Sequence, residues 1–168
     1  NSNKNFVLSA LNLAFLGSFS ENQITLYKNL YHWPDGFLPF SIFKKYTRFK
    51  KIPGRELLRK LRLTKNIKYV HVIGNLEQNQ KKILKKILKK NIVHTKLPYK
   101  NTLDLIKYCP KLKKNVLYIS TLPTPKQEQV AEILKVINNN YKIILLGGAI
   151  NIVTGLEREV PKKIENFE

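Results

Sequence analysis

The sequence contains no methionine and a single cysteine, Cys109, and only 11 of its 168 residues are acidic. One thiol excludes an internal disulfide framework and most cysteine-based metal sites, and makes the cytoplasm the expected compartment. Nowhere do the roughly 18 to 20 successive apolar residues of a membrane span occur. The most apolar stretch, Phe6 to Phe19, is interrupted by Ser9, Asn12 and Ser18, and it lacks the basic start and small-residue cleavage site of a secretory signal. The missing methionine gives the expectation that Asn1 is not the native first residue. Signature motifs are missing too. No G-x-G-x-x-G follows the first predicted strand, no phosphate-loop motif occurs, and no G-x-S-x-G elbow is present. Standard dinucleotide sites, phosphate-loop NTPase chemistry and Ser-His-Asp catalysis on an elbow are therefore disfavoured.

What is abundant is positive charge. Lys and Arg number 31, giving a net charge of +20. Such a field attracts polyanions: nucleic acid, an anionic membrane surface or a diphosphate. The excess is mostly lysine, and the aromatics are grouped in apolar runs instead of alternating with arginine, so base-stacking nucleic-acid modules fit poorly. A hydrophobic fraction of 43% supports a real core, and the length fits one domain spanning residues 1–168.

Apolar patterning predicts strands at Phe6 to Leu11, Tyr69 to Ile73, Asn91 to Thr95, Val116 to Ser120 and Tyr141 to Leu146. Ser20-Glu21-Asn22 offers an N-cap for a helix reaching Leu30. Further helices are expected at Phe37 to Tyr46, Arg55 to Leu63, Gln78 to Lys90, Thr102 to Tyr108 and from Pro125 to Ile137, with short helical pieces at Ile150 to Thr154 and Pro161 to Phe167. The lysine-rich stretch from Lys81 to Lys90 keeps helical periodicity and reads as a solvated helix face. Strands alternating with helices predict an α/β fold, a Rossmann-like three-layer α/β/α arrangement with a mostly parallel sheet.

In such folds ligands bind beyond the carboxyl ends of the strands. Gly74-Asn75, the Pro125-Lys126-Gln127-Glu128 loop and Gly147-Gly148 fall there, and glycines let backbone amides approach a phosphate. Upstream, the aromatic run Tyr31-His32-Trp33 breaks at Pro34-Asp35-Gly36. Pro fixes its φ and Gly permits a positive one, so the chain turns sharply. This is the composition of an ordinary surface turn, and equally a place where aromatic burial would raise the pKa of Asp35 toward that of a useful base. His32, His71 and His94 are scattered and read as packed or surface side chains rather than metal ligands. Cys109, next to Pro110, is a poor nucleophile candidate.

Taken together the segments resemble the WecG/TagA/CpsF family of bacterial glycosyltransferases (glycosyltransferase family 26) along nearly the whole chain. Asn12 matches the asparagine of the family's Thr-Pro-Asn, and Pro34-Asp35-Gly36 its Pro-Asp-Gly. Ile52-Pro53-Gly54-Arg55-Glu56-Leu57 is similar to Val-Pro-Gly-Ser-Asp-Leu. Gly74-Asn75 stands at the family's Gly-Gly, Pro125-Lys126-Gln127-Glu128 reproduces Pro-Lys-Gln-Glu, and Gly147-Gly148-Ala149 resembles the closing glycine-rich segment. Departures are clear: Ala10 replaces the motif threonine, Lys51 replaces an arginine and loses its bidentate fork, and Glu159-Val160-Pro161 replaces Arg-Ala-Pro. Members usually continue past the position of Glu168 into a basic, aromatic segment that helps hold the diphosphate and docks the membrane. The chain is expected to lack it, either as part of a longer protein or as a degenerate member.

The resemblance implies an inverting hexosyltransferase without a strict metal requirement or other cofactor. It would move a hexose or N-acetylhexosamine, such as N-acetylmannosamine, from a UDP-sugar to a lipid-diphosphate-linked saccharide in surface-polysaccharide or wall-polymer synthesis. Asp35 would be the base and Asn12 would position it or the acceptor. Gln127, Glu128, Lys126, Gly74, Asn75, Gly147, Gly148 and Lys51 would bind substrate. The expected location is the inner face of the cell membrane, peripherally bound to anionic lipid, with homo-oligomerisation left open. Two other readings stand beside it: a non-catalytic nucleotide-sugar-binding or degenerate member, and a basic RNA-binding domain.

Overall fold

The computed structural model describes residues 4–35 and 50–159. The expected helices at 37–46 and 161–167, and Gly36, lie outside the described residues.

Phe6–Leu11 forms β1, and Asn12 ends it by turning the chain into helix α1, Leu13–Ser20. The Asn12 side-chain oxygen accepts the Phe15 amide at 3.0 Å, satisfying one of the orphan donors at the helix start. The helix expected from Ser20 to Leu30 is not there. Ser20 donates its hydroxyl back to Gly17 O at 2.8 Å, so it closes a helix instead of opening one. Asn22 and Asn29 take left-handed φ values of 58° and 68°, which interrupt any helix between them. The aromatic run is then a strand, β2, Leu30–Pro34.

After the return at residue 50 come α2 (Gly54–Lys60), β3 (Tyr69–Ile73), α3 (Gln78–Leu88) and β4 (Asn91–Thr95). These are followed by α4 (Thr102–Ile106), β5 (Val116–Ser120), α5 (Lys126–Ile137), β6 (Lys142–Leu145) and α6 (Ala149–Val153). The six strands form one sheet in the order β2-β1-β6-β5-β3-β4, and every neighbouring pair is parallel. The fold is thus the expected Rossmann-like α/β architecture. Every residue of β5 and β6 is buried, as strands covered on both faces require.

Two packed layers hold the sheet. On one face Leu58 of α2, Leu84 and Leu88 of α3 and Ile150 of α6 meet Val70, Val72, Ile119 and Ile144. On the other, Leu105 of α4 with Val130 and Leu134 of α5 meets Val7, Ile73, Tyr118 and Ile143. Right-handed crossovers explain the division, since β3 to β4 runs one way along the sheet and β5 to β6 the other. The lysines Lys82, Lys85, Lys86 and Lys89 are exposed while Leu84 and Leu88 are buried, so the basic stretch is a solvated face. Among the described residues no helix is long and apolar enough to cross a membrane.

His71 lies in β3 with Nε2 2.8 Å from Thr95 Oγ1 and its ring stacked on Tyr118 at 5.5 Å. Burial, and then the charges of His94 and Lys113, push the imidazole down to about 4 from its ordinary 6.5. The folded state therefore resists the proton that the unfolded chain accepts. The contribution of His71 to stability should be intact well above pH 6.5 and should be lost as the pH drops toward 4. Thermal melts across that window should show a shallower acid loss in His71→Gln than in the wild type.

Candidate active site

Because the strands are parallel, the loops after β1, β2, β5 and β6 open on one edge of the sheet. They enclose a cleft of about 370 Å³. Asn12 and Asp35 line one side, and Gln127, Gly147 and Gly148 the other, with Gly54 and Arg55 between them. The predicted base, its predicted partner and three of the predicted ligand-binding positions therefore share one concavity.

Asp35 follows β2 directly, its amide donating to Leu11 O at 3.1 Å and so continuing the parallel ladder. The chain returns beside it, with the Ile52 amide on Pro34 O at 3.0 Å. This brings the start of α2 to the carboxyl group, and the Gly54 amide donates to Asp35 Oδ1 at 3.2 Å. Burial raises the Asp35 pKa above its ordinary value. Opposing that rise are the Gly54 amide, a hydrogen bond from the Asn12 side chain, and the charges of Arg55 and Lys51. Since the Asn12 oxygen is committed to Phe15, its NH₂ is the group that reaches Asp35. One carboxamide thus caps α1 and orients the candidate base.

Gln127 is buried in the first turn of α5. Its Nε2 donates to Thr124 Oγ1 and to Glu128 Oε1, both at 3.0 Å, which fixes the amide plane. Glu128 does not line the cleft. Only 2% exposed, it is turned toward the sheet, where its Oε1 accepts from the Ser9 hydroxyl of β1 at 2.9 Å. Burial raises its pKa, against the bonds from Ser9, Gln127 and Thr124. Its place is behind Gln127, holding α5 to β1.

Lys126, Lys51, Gly74 and Asn75 lie outside the cleft lining. Lys126 points away: its Nζ donates to Lys100 O at 2.9 Å and rests 5.1 Å from the Tyr99 ring centre. Lys51 acts on Asp35 through its charge. Gly74, at φ +121°, accepts His94 Nε2 at its carbonyl, and a Cβ there would run into Thr121 Oγ1, so this glycine serves close packing. Asn75 is exposed, and its carbonyl accepts the Thr121 hydroxyl at 3.1 Å. Gly147 lines the cleft at φ +51°, but its amide is spent on Ser120 O at 3.2 Å, so it is not aimed at a ligand. At Gly148 a Cβ would meet nothing within 4 Å, leaving the backbone open to approach.

Sequence reasoning missed Arg55 and Thr124 as cleft residues. A signal existed for Arg55: a cation in the first turn of a helix opposes the macrodipole and so calls for another partner. That partner is Glu159, whose Oε1 is 2.6 Å from Arg55 Nε. Among the described residues no three His, Cys, Asp or Glu side chains are grouped to hold a metal ion. Burial pushes the Cys109 thiol up to about 11, which leaves it a weak nucleophile.

The two glycine loops should respond differently to substitution. Gly74→Ala forces a side chain into a positive-φ site against Thr121 and should cost roughly 1–3 kcal/mol of stability, read by denaturant unfolding. Gly148→Ala should leave unfolding unchanged and weaken any ligand of the cleft.

The chain matches no protein-family model and no curated protein.

Proposed function

We propose that the chain is an inverting glycosyltransferase that moves a hexose or N-acetylhexosamine from a UDP-sugar to a lipid-diphosphate-linked saccharide. The observation that carries this reading is Asp35: a carboxyl group in a cleft at the carboxyl edge of a parallel sheet, its pKa raised by burial and its orientation held by Gly54 and Asn12. The motif resemblance around Asn12, Asp35 and Gln127 supports the same assignment.

In this reaction Asp35 takes the proton of the acceptor hydroxyl as its oxygen bonds to the anomeric carbon. The bond from that carbon to the diphosphate oxygen breaks on the opposite face, and its electron pair leaves with UDP. Configuration is inverted in a single displacement. Negative charge growing on the diphosphate is met by Arg55 and by the open backbone at Gly148, without reorganisation at the moment of reaction. The locked amide of Gln127 orients the nucleotide sugar. The net charge of +20 suits a peripheral position on an anionic membrane, where the lipid-linked acceptor is found.

Asp35→Asn should lower transfer by roughly 10²-fold or more while UDP affinity, measured by calorimetry in about 0.15 M salt, changes little. Transfer at the wild-type rate would remove Asp35 as the base. A tighter affinity for an RNA oligomer than for UDP in the same buffer would favour a nucleic-acid partner.

The pH profile offers a second test. Activity should rise with pH through the Asp35 pKa, which lies above the ordinary carboxylate value. Asn12→Ala removes a bond that lowers that pKa, so the acid limb of kcat/KM should move to higher pH in that variant.

A further inference from the structure

Asp35 and Arg55 are the only ionisable side chains that line the cleft among the described residues. An anionic ligand entering it meets one carboxyl group and one guanidinium. That guanidinium already carries an anion. Arg55 Nε donates to Glu159 Oε1 at 2.6 Å, with the Arg55 side chain 14% exposed and that of Glu159 44% exposed. A carboxylate and a phosphate offer the same paired oxygens to a guanidinium fork, so each can stand in for the other.

We propose that Arg55 is the diphosphate-binding cation of this cleft and that Glu159 is a built-in carboxylate latch which holds it until the ligand takes its place. The assignment rests on the reading above that the ligand carries a diphosphate.

Three features make the exchange physically easy. Glu159 is also gripped by Arg59, whose Nη1 and Nη2 each lie 3.2 Å from one of its oxygens. When Arg55 turns to a ligand, Glu159 keeps both bonds to Arg59, and no carboxylate is left unpaired. The carboxylate side of the pair is open to solvent, Glu159 being 44% exposed, so water screens its charge when Arg55 turns away. Residues 155–159 are all exposed and belong to no helix or strand, so the segment carrying Glu159 can shift without disturbing the core. A purely structural pair would pin this segment to α2 and would have no effect on ligand affinity.

Calorimetry with UDP and with inorganic pyrophosphate tests the latch on the wild type, Glu159→Gln, Arg55→Gln, Arg55→Lys and the double variant Arg55→Gln/Glu159→Gln. Glu159→Gln keeps the shape and removes the competing charge, so both ligands should bind roughly 3- to 10-fold tighter than to the wild type. Arg55→Gln should weaken them by about 10-fold or more, and Arg55→Lys by less, since it keeps charge but not the fork. The gain from Glu159→Gln should vanish when Arg55 is already replaced.

No gain in Glu159→Gln overturns the latch. So does a gain that persists in the double variant, because it would then reflect net charge alone. UDP binding unaltered by Arg55→Gln also overturns it and leaves the glycosyltransferase reading standing. Pyrophosphate binding with the expected pattern but without UDP binding does the reverse, keeping the latch and removing that reading.

Discussion

Parallel pairing is the constraint from which the rest follows. A parallel neighbour can be reached only by crossing over, so each strand needs a connection on one face or the other, and every carboxyl end opens on the same edge. The order β2-β1-β6-β5-β3-β4 places β1 and β6 side by side although they stand at opposite ends of the described chain. Groups far apart in sequence are thereby delivered to one concavity: Asn12 and Asp35 from the first strands, Gln127 and Gly148 from the last. None of these loops could form the cleft alone.

Within the cleft, opposed effects on one carboxyl group set its character. Burial favours its neutral form, while the Gly54 amide, the Asn12 side chain and two cations favour its charged form. Burial wins, but the others keep the group oriented. A fully solvated carboxylate would have no such tuning, and an unaccompanied buried one would have no reason to ionise. Gln127 shows the same economy. Glu128 and Thr124 consume its donors inside the protein, so the amide is held still for whatever enters.

Legibility in the sequence varied for physical reasons. β1, β3 and β5 were readable to the residue because strands inside the sheet are apolar runs with polar ends, and β4, at the sheet edge with Asn91 and Val93 exposed, was readable as a short β-branched run after the lysine-rich helix. α1 was not readable, because Leu13–Ser20 has almost no polar face and continues the apolar run of β1 without a change of period. Asn12, the one polar residue at the junction, stood out in the sequence through the motif resemblance alone, and its double use as helix cap and partner of Asp35 shows only in the fold. Gln127 and Glu128 looked equivalent in sequence. Adjacent residues on a helix point about 100° apart, and here one turns to the cleft and the other to the sheet. Arg55 carried a local signal in its place at the start of α2, but the partner that explains it, Glu159, lies 104 residues away.

The seam between β1 and β6 also bears on how the molecule comes together. Asn5 and Tyr141, joined across it, are 136 residues apart, so closing this pairing means closing nearly the whole chain into a loop. Long-range parallel pairing of this kind is slow to nucleate. During synthesis β1 has only β2 to pair with until the final strand emerges, and one of its edges stays unpaired. The cleft straddles that seam. The first half of the chain therefore waits for the last, and a complete cleft is a mark of a finished fold.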